Sequence, residues 1–363
     1  MSSQYSPPRL ARVFSTRTHL LIMTTRQGLR RGAVITGTGH AVPSRIVTNS
    51  ELSAMLGEDI APFVRGTLGI EQRHWCAGDE STADLGEEAC RAALEAAAVD
   101  AASIDLIVVA TDTPEFVTPA TASVLHGRLG LTRAATFDLN AGCAGFVTAL
   151  DVAWKYLQAD ERYTRILVVG VYAMSKYLDV HDKKTATIFA DGAGAVVLEA
   201  HDVDGILASE LVADGRYCHG MGVFAGGTRT PITSTVLEAG IQNTLRIVQP
   251  YPASVNEDGW PRIARSVLSR AGHATEDVAL WVWSQMNRST IETVMATLGV
   301  PMERAHTVMH KWGYTGSACL PMALDDAVRG GRVADGDLLV LTATGAGMAM
   351  GSLAMRWRTR ERG

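Results

Sequence analysis

Three observations predict that this 363-residue chain is a layered α/β protein in which one unit is used twice. Short apolar runs alternate with helix-patterned segments along most of its length, the order that gives a sheet covered by helices. Several runs are continuous Val/Ile/Leu rather than apolar-polar alternations, as expected of strands buried on both faces. Two long segments also match at one offset. Leu106-Ile107-Val108-Val109-Ala110 pairs with Leu280-Trp281-Val282-Trp283-Ser284, and Cys143 in GCAGFVTALDVA pairs with Ser317 in GSACLPMALDDA, both 174 positions apart. A shift shared by separated blocks points to duplication rather than to two helices that both use small residues.

The elements follow in order. Ala33-Val34-Ile35-Thr36 reads as a strand. Ser81 to Ala98 reads as a helix, with Ala and Leu at helical spacing. A strand at 105–110, a helix near 119–128 and a strand at 135–139 come next. A tight turn then holds Cys143 and leads into a helix. Ile166-Leu167-Val168-Val169 is a further strand, and the glycine-rich DGAGAVVLEA begins at Asp191. That stretch lacks the GxGxxG spacing and the lysine of a phosphate loop, so it reads as close backbone packing. The second half, from about Gly205, repeats the plan and ends on Leu338-Leu339-Val340-Leu341 followed by TGAGMAMGSLAM. The expected organisation is an N-terminal extension (1–32), a first half (33–204) and a second half (205–363).

Composition narrows the class. Hydrophobic residues make up 47% and charged residues 20% of the chain, ordinary values for a globular protein. The net charge of −5 argues against nucleic acid as the main partner. No apolar run approaches the roughly 20 residues that span a bilayer. The cysteines at 76, 90, 143, 218 and 319 show neither CxxC pairing nor metal-ligand spacing. A scattered, odd set fits a reducing, cytoplasmic compartment better than a disulfide framework, and no metal or cofactor constellation is present. Residues 1–32 carry Arg9, Arg12, Arg17, Arg26, Arg30 and Arg31, and no acid precedes Glu51. That composition fits a transit peptide, but the preferred reading is a disordered basic extension with Met23 as a candidate initiator. The fold itself begins near Gly32.

NAGCAGF, residues 140–146, sets one cysteine in a strand-turn-helix. A helix N-terminus favours the thiolate, the reactive form of cysteine, so Cys143 is a candidate nucleophile against the plainer alternative of a small buried core residue.

DLNAGCAGF, FADGAGAVVLEA, AGGTRTP (225–231), GYTGSACLPMALDDAV and TGAGMAMGSL together resemble the β-ketoacyl-acyl-carrier-protein synthase III family, in order from about residue 33 to the C-terminus. The resemblance implies the thiolase fold, a five-layer αβαβα sandwich of two duplicated halves, and a homodimer. It implies acyl transfer from a CoA or acyl-carrier-protein thioester onto cysteine. Most members then condense the acyl group with malonyl-carrier protein; a branch found beside antibiotic pathways passes it to a hydroxyl or amine. Cys143 matches the nucleophile, and its N–H with one from the Gly345-Ala346-Gly347 turn would form the oxyanion hole, with Gly345 and Gly347 as candidates.

Two departures decide the functional expectation. The family histidine of a His-Gln-Ala-Asn segment is here Ser284, in Ser284-Gln285-Met286-Asn287, and the asparagine of Tyr-Gly-Asn-Thr is here Tyr314. Serine is no base near neutral pH, and tyrosine ordinarily titrates near 10. Asn287 reads chiefly as the cap of a helix starting at Arg288, and His310 as structural. Decarboxylative condensation needs donors aimed at the developing enolate, so losing the pair argues against ketosynthase activity. The expected activity is acyl relay through Cys143 to a small-molecule amine or hydroxyl, with Ser284 and Tyr314 hydrogen-bonding the acceptor or shuttling its proton. A condensing enzyme with a Cys-Ser-Tyr triad and a silent partner subunit are the alternatives.

Donor recognition departs as well. The family's CoA-sandwiching tryptophan and arginine align with Phe63 and Lys176, and a further arginine with Thr67. This weaker grip favours a carrier-protein thioester, with Lys176, Lys183 and Lys184 as rim charges or, equally, as solvated side chains. Thr118, before Pro119, and Thr344 stand where bulkier residues are common, which suggests a roomy pocket for a bulky or aromatic acyl group. Gln285 and Asn287 complete the candidate substrate-binding set.

Overall fold

The computed structural model describes residues 31–240 and 243–359; the expected N-terminal extension lies outside the described residues except at its end. The described residues form one compact unit. The first sheet contains β1 (Gly32–Ala41), β2 (Leu106–Ala110), β3 (Ala135–Leu139), β4 (Arg165–Ala173) and β5 (Asp191–His201), in the order β1-β5-β4-β2-β3. The chain then enters the second sheet through β6 (Ile206–Ala213), followed by β7 (Val278–Trp283), β8 (Leu338–Gly345) and β9 (Ala349–Arg356), in the order β7-β8-β9-β6.

The two sheets share one plan. β2 runs parallel to β4 as β7 does to β8, and β4 runs antiparallel to β5 as β8 does to β9. β1 and β6 then pair antiparallel on the outer side of β5 and β9. Where β3 pairs with β2, the second sheet has a single parallel bridge, Trp281 with Ala305, closed by His306 N–H donating to the Trp281 carbonyl. The duplication is thus complete except for one strand.

The continuous apolar runs have the predicted cause. Leu106, Val108 and Ala110 face the central core, while Ile107 and Val109 face an outer core. In β7, Leu280 and Val282 face the centre, while Trp281 and Trp283 face the opposite outer layer. Each strand is therefore apolar on both faces because helices cover both.

Between the sheets lie α3 (Gly145–Ala159) and α6 (Cys319–Arg329), each touching both sheets. Outside the first sheet pack α1 (Thr82–Ala97) and α2 (Thr121–Leu129); outside the second, α4 (Gly259–Ala271) and α5 (Arg288–Leu298). This is the five-layer αβαβα sandwich expected from the sequence. The glycine-rich β5 lets the central layer come close: a Cβ on Gly194 would stand 2.7 Å from the Met322 backbone nitrogen. Truncating a fully buried side chain of this layer, such as Leu150, would cost about 2–5 kcal/mol.

Candidate active site

The site forms where three turns converge on the N-terminal side of α3. Gly142 adopts φ +54°, a conformation that favours glycine, and the Asn140 side chain accepts from its N–H at 3.0 Å. The turn closes with Ala144 and Gly145 donating to the Ala141 and Gly142 carbonyls, which leaves Cys143 two residues ahead of α3 and 2% exposed. Against it packs the hairpin between β8 and β9. A Cβ on Gly345 would lie 2.0 Å from the Ala141 oxygen and 2.8 Å from the Cys143 nitrogen, and one on Gly142 would lie 2.6 Å from the Ala346 nitrogen. The two backbones therefore touch, and residues without side chains permit it.

That contact corrects one expectation. The Gly347 N–H is already used, donating to the Tyr251 hydroxyl at 2.8 Å. The Ala346 nitrogen lies against Gly142, in the same turn as Cys143, and becomes the candidate partner for the Cys143 N–H. Tyr251 lies in a segment without periodic patterning, so no sequence signal marks it.

Cys143, Ser284 and Tyr314 are brought together. The Ser284 and Tyr314 hydroxyls are 2.7 Å apart, and the Tyr314 hydroxyl is also in hydrogen-bonding reach of the Cys143 thiol. Cys319, at the start of α6, continues the row beside Ser284. All four side chains are buried. Burial pushes the Cys143 thiol well above its ordinary value, the Asp112 carboxylate adds to the rise, and the Tyr314 hydrogen bond opposes it. Burial likewise raises Tyr314 well above the usual tyrosine value. Desolvation thus opposes the thiolate that a helix end favours, and it holds both the thiol and the phenol toward their neutral forms.

The other candidates divide. Gln285 is fully buried and occupied by backbone, donating to the Trp283 and His306 carbonyls and accepting from Val308 N–H; it is structural, not a substrate contact. Asn287 caps α5 through Ser289 N–H at 3.0 Å, as read from the sequence, and also lines the cavity at Cys143. Thr344 lines that cavity too, its hydroxyl accepting from the Trp260 indole at 2.8 Å. His310 is exposed and lines none of the three cavities described below.

Three cavities form a path. An outer one of about 510 Å³ is bordered by Phe63, which is 59% exposed, together with Lys183 and Lys184. It shares Ile188, Ile247 and Pro250 with a second, of about 300 Å³, that reaches Cys143, Tyr314 and Thr344. Beyond Cys143 a third, of about 280 Å³, extends to Asp112. Lys176 is not at the mouth: its ammonium donates to the carbonyls of Ala77 and Gly78, so Lys183, paired with Glu58 at 2.9 Å, and Lys184 take the place expected of it. Thr67 lines none of the three cavities. Thr118 is exposed beside Val117, itself 91% exposed, and lines none of them within one chain.

Asp112 is a site residue that the sequence reading missed, since an aspartate after a strand reads as a turn former. Its Oδ1 is buried with no hydrogen-bond partner, and burial pushes its carboxyl up to about 6. An unfolded aspartate titrates near 4, so between about pH 4 and 6 the native state binds the extra proton and stability falls as pH rises. Asp112→Asn should therefore gain on the order of 1–3 kcal/mol at pH 7 and nothing at pH 4. Chemical denaturation at the two pH values checks this; an equal change at both would refute it.

Comparison with known proteins places these features in a family. Residues 137–215 match 3-oxoacyl-[acyl-carrier-protein] synthase III, and residues 268–357 match its C-terminal region. A β-ketoacyl-[acyl-carrier-protein] synthase III of Dinoroseobacter shibae is 36% identical over 334 residues, 90% of this chain and 99% of the relative. The structure of 3-oxoacyl-(acyl carrier protein) synthase III from Pseudomonas aeruginosa PAO1 superposes with a TM-score of 0.83 at 33% identity, covering 91% and 99% of the two chains. The priming β-ketosynthase of the R1128 polyketide biosynthetic pathway gives 0.84 at 29% identity, covering 91% and 97%. Among the described residues no helix is long and apolar enough to cross a membrane.

Proposed function

Because the chain belongs to the β-ketoacyl-acyl-carrier-protein synthase III family, an enzyme family of acyl transfer and condensation, we propose that it is a non-condensing acyltransferase. It takes an acyl group from a carrier-protein or CoA thioester onto Cys143 and passes it to an amine or hydroxyl of a small natural-product scaffold. The observation that carries this reading is the Ser284–Tyr314 hydroxyl pair beside Cys143, with no histidine among the described residues that line the three cavities. Similarity to a priming ketosynthase of a polyketide pathway supports a role in secondary metabolism, including antibiotic pathways. The family's homodimer would bring the partner's Thr118 loop to the acyl cavity.

The chemistry uses neutral groups. The Cys143 sulfur attacks the thioester carbonyl, and the Cys143 and Ala346 amides receive the developing oxyanion. The thiol proton passes through the Tyr314 hydroxyl to the departing pantetheine sulfur. In the second half an amine attacks with its own lone pair, the Cys143–acyl bond breaks, and the amine's proton returns to the sulfur by the same hydroxyls. No strong base is required, and none stands next to the sulfur. An enolate from malonyl decarboxylation has no equivalent donor pair here.

Intact-protein mass spectrometry after exposure to a panel of acyl-CoA and acyl-carrier-protein donors tests the first step. The expected result is one acyl increment on Cys143, discharged by a nucleophilic acceptor. Carbon dioxide release from malonyl-carrier protein above background would overturn the non-condensing reading, and an unlabelled Cys143 would overturn acyl relay.

A further inference from the structure

We propose that Asp112 selects acyl groups that carry a hydrogen-bond donor, a hydroxyl or an amine, at the end remote from the thioester. This rests on the reading that Cys143 is acylated. The outer and middle cavities share three residues and lead from the surface to Cys143, so the pantetheine arm of a donor approaches along them. Among the described residues, the cavity of about 280 Å³ that adjoins Cys143 and reaches Asp112 offers the acyl tail a continuation. That volume is nearly twice the ~150 Å³ of a protein cavity that admits benzene, enough for an extended or ring-bearing tail.

Apolar side chains, including Met174, Met221, Phe224 and Leu245, share this wall with the polar Asn140 and Tyr172. Among the described residues Asp112 is the only charged side chain on it. A carboxylate in such a wall is costly unless something donates to it. The protein supplies little: Oδ1 has no partner, and the hydrogen bond recorded to the carboxyl comes from the residue's own backbone. The Tyr172 hydroxyl and the Cys143 thiol feel the charge through space without hydrogen-bonding to it. What the carboxylate lacks is a donor, and the space in front of it is where the acyl tail arrives. An N–H or O–H there would satisfy the buried oxygen, whereas a plain alkyl tail would leave it unpaired.

The test uses the full-length protein and matched straight-chain acyl-CoA thioesters of graded length, each as plain alkyl, ω-hydroxy and ω-amino forms. Acylation of Cys143 is followed by intact mass. At the length that reaches Asp112, donor-bearing tails should react roughly 10–100-fold faster than plain ones, the range of a hydrogen bond to a charged group. Asp112→Leu should bring that ratio to about one. Asp112→Asn, which keeps an acceptor but no charge, should retain the hydroxyl preference and lose the amine preference if the natural tail is cationic; equal retention of both identifies a neutral donor. Label without discrimination, or discrimination that survives Asp112→Leu, overturns this inference alone. Absence of label from every donor overturns the acyl-relay reading and this one with it.

Discussion

Cys143→Ala should lose acyl transfer by on the order of 10⁴-fold or more, the scale at which removal of a covalent nucleophile is felt, while the fold stays intact. The side chain is small and buried, so truncation to alanine removes one sulfur from the core and costs little stability beside the loss of chemistry. Intact mass should show no acyl increment with any donor, and acceptor product should vanish in the same samples. Tyr314→Phe separates the nucleophile from its proton path. It keeps the ring against Phe189, whose centroid lies 5.6 Å away, and deletes only the hydroxyl shared between Cys143 and Ser284. Its rate should fall about 10–100-fold, in line with loss of one positioned proton-transfer group. Full transfer activity in Cys143→Ala would refute covalent relay, and an unchanged rate in Tyr314→Phe would refute the proton path alone.

Much of this was legible in the sequence because it is written in short-range patterns. The double-faced burial of Leu106–Ala110 and Val278–Trp283 shows as unbroken apolar runs. The shared topology of the two sheets shows as one constant offset. The Asn287 cap shows as a cap residue directly ahead of a helix. The Cys143 turn shows as a strand-turn-helix, whereas the Ser284 and Tyr314 slots are legible only through the resemblance to the family. What escaped depends on how loops fold across one another. Lys176 and Lys183 lie seven positions apart in one segment, and only the folded 77–78 turn reveals that the first is tied down while the second faces the mouth. Gly347 looks like a free amide until Tyr251, almost a hundred residues earlier, is seen to occupy it. The unpartnered Asp112 oxygen has no sequence signature at all, because being unpaired is a property of everything around it.

Replacing Ser284 by histidine and Tyr314 by asparagine together should give decarboxylation of malonyl-carrier protein, an activity that the proposed non-condensing function denies to the unmodified chain. The reasoning is steric as well as electrostatic. The two hydroxyls meet at 2.7 Å in a buried contact, so the tyrosine ring fills space that an imidazole from position 284 would need. Ser284→His alone overpacks that contact and should cost about 1–3 kcal/mol. Tyr314→Asn alone leaves a cavity beside Cys143 and should cost about 3 kcal/mol. In the double variant the larger residue at 284 grows into the volume released at 314, so the two costs should cancel in part rather than add. The imidazole and amide then stand where donors to a developing enolate are needed, and one such donor is worth on the order of 10²–10³ in rate. Thermal denaturation of the three variants reads the packing argument, and carbon dioxide release from malonyl-carrier protein reads the chemistry. A stable double variant that still releases none would mean that the missing donor pair is not what bars condensation, and that the block lies in how the malonyl thioester meets the path from Phe63 and Lys183 to Cys143.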